Sequence, residues 1–171
     1  IAINPKKQVI TKFLNIFNDL CLILNKSSIL VYNKNKLLLM KNILIIGAGK
    51  SSSYLIKYLL EKSNKEKLQL TVGDISTENA KKLINNHKNA KSVILDIFNI
   101  EQRRYFIQKA DIIISMLPAR FHLEIAKDCI HYEKHMVTAS YISEEMKELD
   151  TAVKEKGLIF QRPSRELYYF L

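Results

Sequence analysis

The sequence predicts an α/β domain: a doubly wound, Rossmann-type parallel sheet with strand order 3-2-1-4-5-6. Three observations carry this. From residue 40 onward, short runs rich in Ile, Leu and Val alternate with amphipathic stretches of roughly 10 to 15 residues, the rhythm of crossover units. The runs are apolar almost without interruption, as strands covered on both faces must be. The first of them ends at a glycine-containing turn that opens directly into a helix pattern. Right-handed crossovers then fix the order of the strands.

Each element has its own warrant. "NILIIG" (42–47) is a buried strand ending at glycine. Residues 50–62 follow as a helix with Leu55, Ile56, Leu59 and Leu60 on one side. "LQLTVGD" (68–74) is the second strand. Ser76 can cap a helix over 77–86, with Glu78 in its first turn, where the helix dipole favours an acid. "KSVILD" (91–96) is the third strand, and Asn99 with Gln102 brackets the next helix start as a capping box. "ADIIISML" (110–117) is the fourth strand, stopped by Pro118. A helix over 120–131 leads to the fifth, "HMVTASY" (135–141). Ser143, Glu144 and Glu145 open a helix that ends at Gly157, and "LIF" (158–160) begins a sixth strand.

Composition bounds the alternatives. The chain has 171 residues, 47% of them hydrophobic, enough for one domain with a substantial core. The net charge is +10, but the excess is uneven: residues 1–39 hold six lysines against one aspartate. In the patterned part the lysines alternate with acids and form no basic stripe interleaved with aromatics, so solvated faces explain them better than nucleic-acid binding. Cys21 and Cys129 make neither a metal-ligand spacing nor a disulfide framework, which fits a reducing, cytoplasmic setting. The first 39 residues read differently from the rest. Most are Ile, Leu, Lys or Asn, and "KFLNIFNDLCLILN" is too broken to span a membrane. The expectation is a leader outside the fold, with Met40 as the natural start; an N-terminal amphipathic helix is the other reading.

The turn "LIIGAGKSSS" (44–53) contains the ends of two phosphate-binding motifs. A triphosphate P-loop would need glycine at position 44, where Leu44 lies within the strand. The dinucleotide reading fits position by position. Gly47 permits the tight turn, Gly49 lets backbone approach a pyrophosphate, and the first helical N–H groups face it. Ser52 stands where a third glycine is usual, a small residue but a departure. Lys50 lies near the phosphates or points to solvent. Asp74, at the end of the second strand, suits the adenosine ribose hydroxyls and repels a 2′-phosphate, which by local chemistry favours NAD over NADP; otherwise it caps the next helix. Asp96 ends the third strand, where it either reaches the adenine edge or is an ordinary strand-end acid.

Ligands of open α/β sheets lie beyond the carboxyl ends of the strands, so "SMLPAR" (115–120) and "TASYIS" (138–143) face the nicotinamide. Leu117 and Pro118 offer that ring an apolar, rigid edge, and Ser140 and Tyr141 offer hydroxyls to a polar substrate. His122 and His131 fall within a helix, where a lone histidine is a surface or packing residue more often than an acid or base. No Ser-His-Asp or Cys-His set can be assembled.

"ILIIGAGKSSSYLIKYLL", "LTVGD", "NAKSVILDI", "ADIIISMLPARFHLEIAKDCI" and "KHMVTASYISEEMKELDTAVKEKGL" together resemble the amino-terminal part of the glutamate-forming saccharopine dehydrogenases, from about Met40 to Phe160. The "SMLPA" and "TASYIS" stretches are more specific than the glycine turn. The resemblance implies a reaction that interconverts saccharopine with glutamate and 2-aminoadipate 6-semialdehyde in lysine metabolism. It implies a cofactor, NAD or NADP, lined by Gly49, Lys50, Ser51, Ser52, Asp74, Asp96, Ile97, Leu117, Pro118, Tyr141, Ile142 and Ser143, with saccharopine touching Ser140 and Tyr141. Family members commonly use NADP. The resemblance stops after "GLIF". Residues 161–171 match nothing in the α+β substrate domain that follows in the family, so the expectation is a cofactor domain over 40–160, truncated before its substrate domain and inactive alone. The alternative is a non-catalytic NAD(P)-binding module or a subunit completed by a separate chain. A small-molecule substrate, no nucleic acid, no membrane, and self-association as far as a homodimer through uncovered sheet edges complete the expectations.

Overall fold

A computed structural model describes residues 40–138 and 143–161. The chain divides between Leu39 and Met40 into two units, and the second is the one described. Strand β1 (Lys41–Ile46) sits in the middle of a six-stranded sheet whose order is β3-β2-β1-β4-β5-β6. Strand β2 (Leu68–Asp74) runs parallel to it with Ile43 opposite Leu70 and Ile46 opposite Gly73. On the other side lies β4 (Ile112–Ser115), with Ile43 opposite Ile112 and Ile46 opposite Ser115. Strands β3 (Ala90–Ile94), β5 (His135–Thr138) and β6 (Phe160–Gln161) complete the sheet, and every pairing is parallel. The expected order therefore holds, and the strand order reverses between β1 and β4.

Among the described residues, six α-helices join the strands: α1 (Ser53–Glu66), α2 (Thr77–Ile84), α3 (Ile100–Gln108), α4 (His122–His131), α5 (Glu144–Glu148) and α6 (Asp150–Glu155). Alternation along β1 divides its side chains between two faces. Leu44 and Ile46 enter a core with Ile107 of α3, Ile113 of β4, Ile125 and Ala126 of α4, and Met146 of α5. Ile43 and Ile45 point the other way, where α1 buries Leu55, Ile56, Leu59 and Leu60. A fully buried side chain of this size contributes about 1.5–3 kcal/mol, so the helix faces with period 3.6 and the doubly apolar strands reinforce one another.

Several boundaries differ from the sequence expectation for identifiable reasons. Helix α1 runs past residue 62 to Glu66, and Lys67 closes it at φ 51°, its N–H bonded to the Ser63 carbonyl. Strand β3 stops at Ile94 rather than 96 because the Asp96 N–H turns to Gln102 Oε1 at 2.9 Å. That contact also modifies the expected capping box. Asn99 Oδ1 accepts the Gln102 N–H at 3.0 Å as anticipated, but Gln102 reaches back to Asp96 instead of Asn99. The single helix read over 143–157 is two short helices meeting at Leu149, capped at its start by Ser143. Strand β6 begins at Phe160 because the two preceding N–H groups are taken elsewhere, Leu158 by the Val153 carbonyl and Ile159 by His135 Nδ1. No helix among the described residues is long and apolar enough to cross a membrane.

Candidate nucleotide-binding site

The turn after β1 is held from β2. The Gly47 N–H donates to the Gly73 carbonyl at 2.8 Å, and the Ala48 N–H donates to Asp74 Oδ2 at 2.6 Å. The second carboxylate oxygen of Asp74 accepts the Ser76 N–H at 3.2 Å. Asp74 is thus a clamp on the glycine turn as well as a carboxylate at the strand end, and Ser76 caps α2 without a side-chain hydrogen bond of its own. Each carboxylate oxygen keeps a lone pair beyond the N–H it accepts, so the clamp leaves acceptor capacity for a ribose hydroxyl.

The two glycines of the turn have different reasons for being glycine. Gly47 has φ +103°, and a Cβ built on it would meet Leu117 Cδ2 at 3.2 Å. It therefore serves both backbone conformation and contact with the β4–α4 loop. Gly49 has φ −73° and ψ −179°, open to any residue, and a Cβ there would meet nothing within 4 Å. Its lack of a side chain leaves space rather than relieving strain, as approach of a diphosphate to backbone requires. A one-turn 3-10 helix, Lys50–Ser52, leads from Gly49 into α1. The first amides of such a start have no intrahelical acceptor and carry the positive end of the helix dipole. Lys50 and Ser51 are exposed there, which agrees with either reading of Lys50. Ser52, at the place of the third glycine, is buried, and its hydroxyl turns back to the Gly49 carbonyl at 2.7 Å. A small polar side chain is accommodated because it satisfies itself locally.

Gly73 belongs to this arrangement although the sequence reading passed over it. A Cβ at Gly73 would lie 2.7 Å from Leu95 Cδ2 and 2.9 Å from Leu95 Cβ. A glycine inside a strand signals such an approach; naming Leu95 as the neighbour requires the packing of the chain beyond β3. Gly73→Ala is expected to destabilise the domain by about 1–3 kcal/mol, read as a lowered melting temperature.

Beyond the end of β3, Asp96 closes an Asx turn by accepting the Phe98 N–H at 2.9 Å, so it has a local structural role. Ile97 follows, half-buried, its carbonyl accepting from Arg103 Nη1 at 2.6 Å. Across the switch point, Leu117 and Pro118 form the start of the β4–α4 loop, and the Pro118 carbonyl accepts the Phe121 N–H at 3.0 Å. Ser143 is the N-cap of α5. Ser140, Tyr141 and Ile142 lie outside the described residues. Gly47, Gly49, Asp74 and Leu117 are therefore brought together, with Asp96 and Ile97 on a neighbouring strand end.

Of the two readings open for a lone helical histidine, surface or packing, His122 takes the buried one, and it has a polar partner. It is 2% exposed, and its Nδ1 lies 2.9 Å from Oγ of Ser115, which is itself fully buried. Burial pushes its pKa down to about 4, leaving a neutral ring at pH 7. Cys129 is buried and free, its thiol pushed up by burial.

A glycine turn clamped by a β2 carboxylate, at the point where strand order reverses, defines a dinucleotide-binding domain of the doubly wound class. A family described as "Saccharopine dehydrogenase NADP binding domain" matches residues 43–160. The chain belongs to this family, and its cofactor is a nicotinamide nucleotide. It is 31% identical over 118 residues to a saccharopine dehydrogenase [NADP(+), L-glutamate-forming] of Pyricularia oryzae, covering 69% of this chain and 25% of that protein. It is 33% identical over 119 residues to a mitochondrial alpha-aminoadipic semialdehyde synthase of Mus musculus, covering 69% of this chain and 12% of that protein. Among solved structures, the apo saccharopine dehydrogenase (L-Glu forming) of Saccharomyces cerevisiae superimposes with TM-score 0.61 at 24% identity, over 71% of this chain and 26% of that one, a likeness of fold. The chain thus spans between 12% and 26% of the length of these proteins.

Proposed function

We propose that residues 40–160, whose last strand runs one residue further to Gln161, hold a nicotinamide adenine dinucleotide across the carboxyl ends of the sheet, as the cofactor domain of a saccharopine dehydrogenase-type oxidoreductase, with residues 1–39 and 162–171 outside that domain. The observation that carries the reading is the clamped turn: Gly47 bonded to Gly73, Ala48 bonded to Asp74, and open space over Gly49. In this reading the amides of Gly49, Lys50 and Ser51, with Ser52 behind them, receive the diphosphate. Asp74 faces the adenosine ribose, and Asp96 and Ile97 border the adenine. Leu117, Pro118 and the segment Tyr141, Ile142 and Ser143 border the nicotinamide. Ser140 and Tyr141 meet the substrate. The bound cofactor would supply hydride exchange with the secondary-amine carbon of saccharopine, and hydrolysis of the resulting imine by water would give glutamate and 2-aminoadipate 6-semialdehyde, in lysine metabolism. The chain's own part is to bind and orient that cofactor. A cytoplasmic setting rests on the free Cys129, and self-association rests on β3 and β6, the outermost strands among the described residues.

The phosphorylated cofactor is the one the comparisons favour. The preference for NAD drawn from Asp74 finds no support in them, since both the family description and the Pyricularia relative's name specify NADP. The Ser76 hydroxyl and the N–H and hydroxyl of Thr77 at the start of α2 suit a 2′-phosphate. Asp74 opposes it by about 1 kcal/mol, the size of a screened interaction between two charges a few ångströms apart. Asp74→Asn keeps an oxygen for the Ala48 N–H and removes the charge. It is expected to raise the ratio of NADPH to NADH affinity about fivefold in parallel calorimetric titrations. An unchanged ratio would separate Asp74 from the ribose, and wild-type protein that binds neither nucleotide would end the reading.

A further inference from the structure

The β4–α4 loop is bridged by a buried polar contact that neither fold nor fingerprint requires. Ser115 is the last residue of β4 and His122 the first of α4, and their side chains meet at 2.9 Å across the whole of residues 116–121. Ser115 pairs in register with Ile46 on one side and Thr138 on the other, so the contact lies at the point where strand order reverses. The loop it spans presses on the glycine turn, with Leu117 Cδ2 3.2 Å from the position of a Gly47 Cβ and Met116 close behind. The Met116 N–H is itself bonded to the Ile46 carbonyl at 2.8 Å.

The second ring nitrogen of His122, Nε2, is buried with no hydrogen-bond partner among the described residues. An unpaired buried nitrogen is a standing cost, and leucine at this position would fill the space without it. Packing alone therefore gives no reason for histidine. The bond to Ser115 does, because it ties the start of α4 to the end of β4 and leaves the loop between them one arrangement against Gly47.

We propose that His122 is a positioning residue for the dinucleotide: through Ser115 it clasps the β4–α4 loop, keeping Leu117 against Gly47 and the glycine turn in its binding conformation. The inference rests on the reading that this end of the sheet holds the nucleotide. It assigns His122 no contact with the reacting atoms.

The test uses the full 171-residue chain and three variants, Ser115→Ala, His122→Leu and His122→Asn. Amide hydrogen exchange over residues 47–52 and 116–121 is measured without nucleotide, and NADPH affinity is measured separately. Ser115→Ala and His122→Leu are expected to exchange about tenfold faster in those two segments and to bind NADPH about two- to tenfold more weakly. His122→Asn, whose amide reaches the place of Nδ1 and keeps the Ser115 bond, is expected to restore both, which a general packing defect would not allow. Unchanged exchange in Ser115→Ala overturns the clasp. So does faster exchange with undiminished affinity, or a His122→Asn as impaired as His122→Leu. Wild-type protein that binds neither NADPH nor NADH refutes the function proposed above, and the exchange comparison still decides the clasp by itself.

Discussion

Asp128→Ala is expected to destabilise residues 40–161 by about 3–5 kcal/mol, because it strands a buried charge. Asp128 on α4 is 3% exposed, and each of its oxygens takes one arginine. Arg103 Nε donates to Oδ2 at 2.7 Å, and Arg104 Nε donates to Oδ1 at 2.9 Å. Arg103, on α3, is 5% exposed and also donates to the Ile97 carbonyl. Without Asp128, its guanidinium keeps that carbonyl but loses its buried countercharge, the remaining acid, Glu124, being 3.9 Å away and largely exposed. Arg104 is half-exposed, and its share of the effect is small because water screens it. Thermal unfolding should register a fall of at least about 10 °C. The double variant Arg103→Met with Asp128→Leu removes both charges and should recover most of the loss, since the cost lies in the unpaired ion. A single variant that melts within two or three degrees of wild type would mean that water or relaxation reaches Arg103.

Gly49→Val is expected to leave stability nearly unchanged and to weaken NADPH binding by at least about 100-fold, or roughly 2.7 kcal/mol. The backbone at Gly49 is extended and accessible to valine, and the space above it is open, so the fold has no objection to the side chain. The diphosphate does, because its oxygens must reach the amides of that turn. The contrast with Gly47 sharpens the test. Gly47→Val combines a positive φ with a collision against Leu117, and is expected to damage folding and binding together. If Gly49→Val binds NADPH like the wild type, the diphosphate does not lie over this turn, whatever the fold.

The sheet was legible because its signals are local. Continuous apolar runs such as Ile43–Ile46, between Asn42 and Gly47, and Ile112–Ile114, between Asp111 and Ser115, report burial on both faces without knowledge of their neighbours. The roles of Gly47 and Gly49 as candidates and of Asp74 as a strand-end acid follow from spacing along one crossover unit. What required three dimensions were contacts between units. Gly73 against Leu95, and Asp128 between Arg103 and Arg104 some 25 residues away, depend on packing that no window of sequence contains. Ser115 and His122 are only seven apart, yet their pairing depends on the loop folding back, and the helical spacing of His122 alone suggested a packing role. Asp74 was read as a ribose ligand; its grip on Ala48 could be seen only once β1 and β2 were in register. The preference for NAD drawn from its charge finds no support in the comparisons, and a 2′-phosphate responds to every group around it.

The central claim is that the turn after β1 and the loop after β4 together receive a nicotinamide dinucleotide. Amide chemical shifts of the 15N-labelled chain during titration with NADPH test it residue by residue. The account predicts the first and largest shifts at Gly47 to Ser52, at Asp74 to Ser76 and at Met116 to Leu117, saturating together. Shifts concentrated instead at the opposite end of the sheet, around Asn42, Gln69 and Lys91, or no shifts at all in folded protein, would contradict it.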